Sequence, residues 1–218
     1  MNLIRVVIAD DEELMRHALR IFVDSGERTT VVGEASTGHD AIVLCRELRP
    51  DVVLMDMQMP GLDGFQATSE ISMICPEVKV LAVTTFSSQG YVAAALRAGA
   101  AGYLVKDTSP ELLVRSIIDV HEGRAPLSPQ IARSLILSVR HNEGPVPGGI
   151  SPEEELTPRE KSIVKLLAKG MSNAEIATAL HLSEATVKAN FGRLMTKWDV
   201  RDRVQVLIRA AKSGLVSL

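Results

Sequence analysis

Five polar side chains in the first half of the sequence have the types needed for phosphoryl chemistry. Each follows a short apolar run, at residues 4–9, 52–55, 80–83 or 102–105, and together they are Asp10, Asp11, Asp56, Thr84 and Lys106. Three carboxylates attract a divalent cation, and Mg²⁺ accepts both carboxylate and phosphate oxygens as ligands. A carboxylate can attack phosphorus, while a hydroxyl and an ammonium can offset the charge of the transferred group. The set therefore predicts a site for a divalent cation and a phosphoryl group, with Asp56 as the candidate nucleophile.

Each of these residues taken alone has a simpler explanation. Asp10 and Asp11 are suitable caps for a following helix, Asp56 precedes a Pro/Gly-rich loop, and Lys106 suits a solvated strand end. A single position therefore predicts little. The phosphoryl site depends on the placement of all five residues at the ends of four strands.

The apolar runs alternate with segments of helical spacing, which indicates a parallel sheet covered by helices on both faces. The predicted strands are Ile4–Ala9, Thr30–Gly33, Val52–Met55, Val78–Val83 and Gly102–Val105. We expect a flavodoxin-like, doubly wound α/β fold with five parallel strands in the order 2-1-3-4-5. Ligands bind such sheets where the strand order reverses, between strands 1 and 3, so the acidic residues should meet there.

Two of the intervening helices carry clear apolar stripes that we expect to face the core. The first helix is predicted to bury Leu14, Ala18, Ile21 and Phe22, and the last is predicted to bury Leu112, Leu113, Ile117 and Val120.

The remainder of the sequence predicts a linker and a small all-α domain. A helix-like stripe over 126–140 is followed by 141–149, where three glycines and two prolines predict a flexible linker. Capping-box patterns begin at Thr157 and Ser172, a third helix start lies at Ser183, and the short hinge before it suits a helix-turn-helix. The predicted regions are residues 1–125, the linker helix and flexible linker 126–155, and the helix-turn-helix domain 156–218.

Charge is distributed unevenly along the chain. Residues 1–125 hold 11 Lys and Arg against 18 Asp and Glu, a net −7, whereas residues 156–218 hold 11 against 5, a net +6. An acidic first half and a basic last quarter favour a regulatory domain joined to a nucleic-acid binder.

Composition narrows the class of protein further. No run of about 18 apolar residues occurs, so no membrane span is expected. The only two cysteines, Cys45 and Cys75, predict no disulfide framework, and the start of the chain has no signal-peptide plan. These features predict a cytoplasmic protein.

Longer motifs resemble a known family over nearly the whole chain. Residues 1–122 resemble a bacterial response-regulator receiver domain, and residues 156–218 resemble a LuxR-type helix-turn-helix, in the NarL/FixJ arrangement. The motifs that carry the resemblance are Val7–Asp11, Asp56–Gly64, Thr84, Tyr103–Lys106, Leu156–Glu160 and Ser183–Lys188.

The resemblance implies a role for each residue of the acidic site. Asp56 would accept a phosphoryl group from a sensor histidine kinase, and Lys106 would neutralise the added charge. Mg²⁺ or Mn²⁺ would be held by Asp11, Asp56 and the backbone carbonyl of Gln58, with Asp10 acting through water. Thr84 and Tyr103 would form a switch pair, although a plain strand aromatic is the alternative for Tyr103. Asp107 stands where many receivers have proline, which leaves open the cis peptide common there.

The resemblance also implies a recognition helix for double-stranded DNA. The candidate contacts from this helix are Thr186, Lys188, Ala189, Asn190, Gly192, Arg193 and Lys197. Lys188 is the first candidate for a base or phosphate contact, and Ala189 and Gly192 are small enough for close approach to a base pair. Asn190 stands where the family usually has histidine. Thr157, Arg159, Ser172 and Asn173 lie at predicted helix starts and are further candidates for phosphate contacts, with helix capping as the alternative for Thr157, Ser172 and Ser183.

A small domain of this kind reads few base pairs, so a homodimer is expected, at least after phosphorylation. The last helix resembles the dimer-forming helix of the family through Val204, Leu207, Ile208 and Ala211, with packing inside the domain as the alternative. The resulting prediction is a two-component response regulator that is not a turnover enzyme. The alternatives are a phosphotransfer enzyme that uses Asp56 and an interaction module that is independent of phosphorylation.

Overall fold

The computed structural model describes residues 3–85, 89–124, 132–133, 135–137 and 156–216. The chain forms two compact units, Met1–Ala125 and Pro126–Leu218. The linker predicted at 141–149 lies outside the described residues. Among the described helices, none is long and apolar enough to cross a membrane.

The first unit is built on a five-stranded sheet. Its strands are β1 (Ile4–Ala9), β2 (Thr29–Ala35), β3 (Val52–Asp56), β4 (Lys79–Thr84) and β5 (Gly102–Val105). Their order is β2-β1-β3-β4-β5, and all neighbouring strands are parallel. Every residue of β3 is buried, as expected for a central strand covered on both faces. The predicted fold class and strand order are confirmed.

Helices connect successive strands of this sheet. They are α1 (Glu13–Asp24), α2 (Gly38–Leu48), α3 (Gly64–Ile74), α4 (Gln89–Ala98) and α5 (Pro110–His121). The side chains of Thr37, Asp63 and Ser109 cap α2, α3 and α5 by accepting a backbone N–H in the first turn. These caps fix where each helix leaves the loop beyond the carboxyl ends of the strands.

Two predicted core positions of α1 are wrong. Leu14 is 81% exposed and Ile21 is 55% exposed, whereas Leu19 and Val23 are buried and Phe22 packs against the core. The reason is that α1 carries two apolar stripes, because Leu14 and Ile21 lie seven residues apart on a different face from Leu19 and Val23. The stripe with more apolar volume is buried, and the other stays in solvent.

The last helix of the unit shows a smaller error of the same kind. Leu112, predicted to be buried, is 50% exposed, while its neighbours Leu113, Ile117 and Val120 are buried as predicted. Leu112 and Leu113 are adjacent in the sequence, so a single helix face cannot bury both.

The second unit contains the helices α6 (Pro158–Ala168), α7 (Asn173–Ala179), α8 (Glu184–Trp198) and α9 (Arg203–Lys212). Both predicted capping boxes are present, Thr157 with Glu160 and Ser172 with Glu175, and Ser183 caps α8. The turn between α7 and α8 spans residues 180–183, as a helix-turn-helix requires. Trp198, the only tryptophan of the chain, is 1% exposed and therefore belongs to the core.

Candidate functional site

The three aspartates predicted to converge lie together at the carboxyl ends of β1 and β3. One carboxylate oxygen from each of Asp10, Asp11 and Asp56 lies within 4.8 Å of the others. Asp10 and Asp56 are buried, at 1% and 4% exposed, while Asp11 is exposed to solvent. The cluster is therefore a buried acidic pair that opens to solvent on the side of Asp11.

The structure does not support the simpler explanation that Asp10 or Asp11 caps α1. The N-cap of α1 is Glu12, and its side chain makes no capping hydrogen bond in the described part of the chain. Asp10 Oδ1 instead accepts a hydrogen bond from the backbone N–H of Glu12 at 3.0 Å, which shapes the loop before the helix. Neither Asp10 nor Asp11 serves as the cap of α1.

Lys106 provides the opposite charge inside this cluster. Its Nζ lies 2.7 Å from Asp10 Oδ2 and 2.8 Å from Asp56 Oδ2, and its side chain is only 7% exposed. Burial lowers the pKa of Lys106, but the carboxylates of Asp10 and Asp56 outweigh burial and raise the pKa above its usual value. Lys106 therefore stays charged and holds together two carboxylates that would otherwise repel each other.

Asp56 is held in position by its own loop and by Lys106. Its Oδ1 accepts a hydrogen bond of 3.0 Å from the backbone N–H of Gln58. Burial raises the pKa of Asp56, and the Gln58 amide and Lys106 offset this increase only in part. The Gln58 amide and Lys106 thus bind different carboxylate oxygens, which fixes the plane of the carboxylate.

Gly64 also positions Asp56, a role that the sequence analysis does not assign to it. A Cβ atom at Gly64 would lie 1.9 Å from the backbone oxygen of Asp56 and 2.6 Å from Met57 Cα. Only glycine permits this contact between the start of α3 and the backbone at the end of β3. The available signal was the second glycine of the loop motif Asp56–Gly64, at the position where the helical pattern begins.

Arg16 is a second residue that the sequence analysis misses. Its Nη1 donates to the backbone oxygens of Asp10, at 2.8 Å, and Asp11, at 3.2 Å. The guanidinium therefore braces the loop that carries the acidic pair. No periodic pattern marks such a contact between a side chain and the backbone.

The remaining predicted residues lie on β4 and β5. Thr84 is fully buried at the end of β4, and its backbone oxygen accepts a 2.9 Å hydrogen bond from Lys106 N. Tyr103 is half-buried on β5, and burial, together with the nearby Tyr91, raises its pKa. No cis peptide occurs among the described residues, so the Lys106–Asp107 bond is trans. The switch roles of Thr84 and Tyr103 and the carbonyl ligand at Gln58 stay predictions.

The chemistry of the donor set fits Mg²⁺ or Mn²⁺. Both cations prefer oxygen ligands, and the three carboxylates supply oxygens around one small volume with solvent access at Asp11. The buried ammonium of Lys106 would then lie beside the cation site, where a phosphoryl oxygen also needs a positive neighbour.

The predicted DNA contacts on α8 fall into two groups. Thr186, Lys188, Ala189 and Arg193 are exposed, and Gly192 is partly exposed with no heavy atom of the described chain within 4 Å of a Cβ built there. These five residues form the exposed face of α8.

Asn190 and Lys197 form the second group and bind inside the domain. Asn190 is 6% exposed; its Nδ2 donates to the Thr186 backbone oxygen at 2.8 Å, and its Oδ1 accepts from Arg193 Nη2 at 3.0 Å. Lys197 Nζ donates to Glu160 Oε2 at 2.8 Å. Both side chains therefore have partners within the domain, and their contact with DNA stays a prediction that this placement does not support.

The predicted dimer surface is not exposed in this structure. Val204, Leu207, Ile208 and Ala211 are 0%, 0%, 8% and 3% exposed, and α9 packs against α6 and α8. Their burial fits the alternative of packing inside the chain. The reason is that short helices in a small domain need most of their apolar residues for the core.

Comparisons with known proteins cover both units. The family model for the response regulator receiver domain matches residues 6–118, and the model for bacterial regulatory proteins of the luxR family matches residues 154–210.

Relatives cover almost the full chain. The uncharacterized transcriptional regulatory protein YhcZ of Bacillus subtilis is 40% identical over 215 residues, which cover 97% of each chain. YxjL of the same organism, also an uncharacterized transcriptional regulatory protein, is 37% identical over 213 residues, which cover 98% of this chain and 97% of YxjL. The crystal structure of ChrA, a response regulator of a heme-sensing two-component system, is 34% identical, with a TM-score of 0.52 and 99% of this chain and 100% of ChrA covered. This chain therefore belongs to the response regulator family and combines a receiver domain with a LuxR-type DNA-binding domain.

Proposed function

We propose that Asp56 accepts a phosphoryl group from a sensor histidine kinase and that this modification controls sequence-specific DNA binding and transcription. The observation that carries the proposal is the ion pairing of Lys106 with both Asp10 and Asp56 inside one cluster of three carboxylates. A salt bridge at a strand end has no need of a third carboxylate exposed to solvent beside it. A site for a cation and a phosphoryl group needs all of these parts.

The residues of the chain have distinct roles in the transfer. Bound Mg²⁺ would supply positive charge to the phosphoryl oxygens, and Asp10, Asp11, Asp56 and the Gln58 carbonyl would hold it. An Asp56 carboxylate oxygen attacks phosphorus, and the bond from phosphorus to the kinase histidine breaks, which returns the electron pair to that imidazole. Lys106 Nζ leaves its pairing with Asp56 Oδ2 and offsets the charge of the acyl phosphate.

The change spreads from Asp56 through its neighbours on the sheet edge. Phosphorylation replaces the single negative charge of the Asp56 carboxylate with a phosphoryl group that carries nearly two at neutral pH. The Thr84 hydroxyl donates to a phosphoryl oxygen, and the half-buried ring of Tyr103 moves into the space beside it. A bias of a few kcal/mol between two states of the β4–β5 edge is sufficient for regulation.

The second apolar stripe of α1 supports a docking site for the kinase. Leu14 and Ile21 are exposed on a helix that begins two residues after Asp11. Large apolar side chains in solvent next to a reaction site favour a protein partner. In cells, Leu14→Ser should lower the phosphorylated fraction of Asp56, whereas labelling of purified protein by acetyl phosphate should not change. Leu112→Ser, at an exposed leucine on α5, is the matched control.

The exposed face of α8 is the proposed DNA contact surface. Thr186, Lys188 and Arg193 offer donors to bases and phosphates, while Ala189 and Gly192 allow close approach. A homodimer on repeated half-sites would extend the number of base pairs that are read. Lys188→Met should weaken binding and reduce its salt dependence, because phosphate contacts release counterions.

The proposal is tested with purified full-length protein, Mg²⁺ and acetyl phosphate. Intact-mass measurement should detect one phosphoryl group on the wild type and none on Asp56→Asn or after chelation of the metal. Gel-shift titration on a duplex selected from a random library should then show tighter binding by the phosphorylated wild type only. Equal binding by wild type and Asp56→Asn after treatment would support the phosphorylation-independent module. Release of phosphate over many turnovers would support the phosphotransfer enzyme.

A further inference from the structure

One carboxylate oxygen joins the first helix of the DNA-binding unit to the end of its recognition helix. Glu160 Oε2 accepts a 2.8 Å hydrogen bond from the backbone N–H of Thr157 and a 2.8 Å hydrogen bond from Lys197 Nζ. The Glu160 side chain is 7% exposed, and the Lys197 side chain is 24% exposed. A contact between residues 37 positions apart therefore lies mostly out of solvent.

The position of this ion pair gives it control over the orientation of α8. Glu160 lies in the first turn of α6 and also closes the capping box with Thr157. Lys197 lies in the last turn of α8, where a positive charge also interacts favourably with the helix dipole. Since charge-assisted hydrogen bonds are short and stronger than neutral ones, the pair opposes rotation and tilt of α8 away from α6.

The charge state of Glu160 supports a strong pair. Burial raises the pKa of Glu160, but the hydrogen bonds from Lys197 and Thr157 outweigh burial and hold the pKa below its usual range. The carboxylate is therefore charged at neutral pH.

We propose that Glu160 and Lys197 are positioning residues for DNA recognition, which act by fixing α8 rather than by touching DNA. The ion pair holds the exposed face of α8 at the angle at which Lys188, Gly192 and Arg193 reach the duplex together. This inference rests on the proposed DNA-binding function. It replaces the predicted role of Lys197 as a direct DNA contact.

Electrostatics separates the positioning role from a contact role. A lysine that binds a phosphate contributes to counterion release, and its loss reduces the salt slope of log K by about 0.9. A positioning lysine lowers affinity at every salt concentration, and the slope changes only as far as the shifted helix loses its own phosphate contacts, so loss of its partner Glu160 should give the same slope. Glu160 gives an even clearer test, because removal of an anion near DNA should strengthen binding unless that anion positions the helix.

The experiment uses the full-length protein phosphorylated with acetyl phosphate and a duplex that the wild type selects from a random library. Dissociation constants are measured by fluorescence anisotropy over a range of salt concentrations for wild type, Lys197→Met, Glu160→Gln and the double variant. Glu160→Gln keeps the capping box, because glutamine also serves at that position, but it removes the charge. Lys188→Met is the control for a direct contact, and circular dichroism with thermal melting checks that each variant is folded.

Each single variant should bind about five- to tenfold more weakly than the wild type, on the scale of a partly buried ion pair. The two single variants should share one salt slope, and the double variant should be no weaker than either single variant. A slope that is lower in Lys197→Met than in Glu160→Gln, or tighter binding by Glu160→Gln, would overturn the inference. If Lys197→Met does not fold, the sign of the effect of Glu160→Gln decides. If the wild type selects no duplex, the proposed function itself fails, and the positioning role fails with it.

Discussion

The two units of this chain use buried charge for different purposes. In the receiver domain the residues proposed for phosphoryl transfer are themselves buried, and Lys106 contacts both Asp10 and Asp56 at the sheet edge. In the DNA-binding domain the residues proposed to contact DNA are exposed, and the buried carboxylate of Glu160 holds α8 through Lys197. A buried site is therefore sensitive to any change in the residues around it. An exposed contact surface tolerates substitutions at the surface but depends on the buried residues that hold its helix in place.

The largest effect is expected from a glycine-to-alanine substitution in the receiver site. Gly64→Ala places a Cβ against the backbone of Asp56, and no side-chain rotation relieves a clash with backbone atoms. We expect a loss of about 3 kcal/mol or more in the free energy of unfolding and loss of labelling by acetyl phosphate. Urea denaturation and intact mass measure the two effects. Wild-type stability in Gly64→Ala would show that α3 does not fix the position of Asp56.

The charge balance of the receiver site gives the next largest effect. Lys106→Met leaves Asp10 and Asp56 without their shared cation, which should cost about 2–3 kcal/mol of stability in metal-free buffer. Mg²⁺ supplies the missing positive charge, so it should raise the melting temperature of Lys106→Met more than that of the wild type. Differential scanning fluorimetry with and without Mg²⁺ measures this difference. An equal Mg²⁺ shift in both proteins would contradict a shared site for the ammonium and the cation.

Gly192 on α8 allows the glycine-to-alanine test to be repeated in the DNA-binding domain. No heavy atom of the described chain lies near a Cβ at Gly192, so Gly192→Ala should stabilise the helix by about 1 kcal/mol. If Gly192 approaches DNA closely, the same methyl group should weaken binding about tenfold, at the scale of one lost close contact. A gain in stability together with a loss of DNA affinity would identify Gly192 as part of the surface that contacts DNA. Unchanged affinity in a gel-shift titration would remove Gly192 from the contact surface.

The two regions also differ in how far the sequence alone predicts them. The meeting of Asp10, Asp11 and Asp56 is predictable because topology brings the carboxyl ends of β1 and β3 together. The rotation of a helix about its axis is harder to predict from the sequence, since it depends on partners far away in the sequence. Polar residues such as Asn190 and Lys197 therefore look like surface residues until α8 is packed, and the partner of Lys197 lies 37 positions away.

Helix rotation also explains the errors in the receiver domain. On α1 two apolar stripes compete, and only packing against the sheet decides that Leu19 is buried and Leu14 is exposed. Arg16 and Gly64 act on backbone atoms of the site, and contacts of that kind leave no periodic pattern in the sequence.

The smallest expected effects are pH dependences, and they have opposite signs in the two domains. The pKa of Asp56 is raised in the folded protein, so folding favours its protonated form and stability from this group falls as pH rises from the ordinary carboxyl pKa through the raised value. The pKa of Glu160 is lowered, so its contribution is complete above the ordinary carboxyl pKa and is lost as pH falls through the lowered value. Urea denaturation from mildly acidic to neutral pH, without metal, should show Asp56→Asn gaining stability relative to wild type as pH rises. Over the acidic range the difference in stability between Glu160→Gln and the wild type should instead shrink as pH falls, because the wild type loses the contribution of the Glu160 carboxylate. Parallel pH profiles for the two variants would mean that burial does not dominate at Asp56, and the contrast between a buried reacting carboxylate and a buried supporting one would fail.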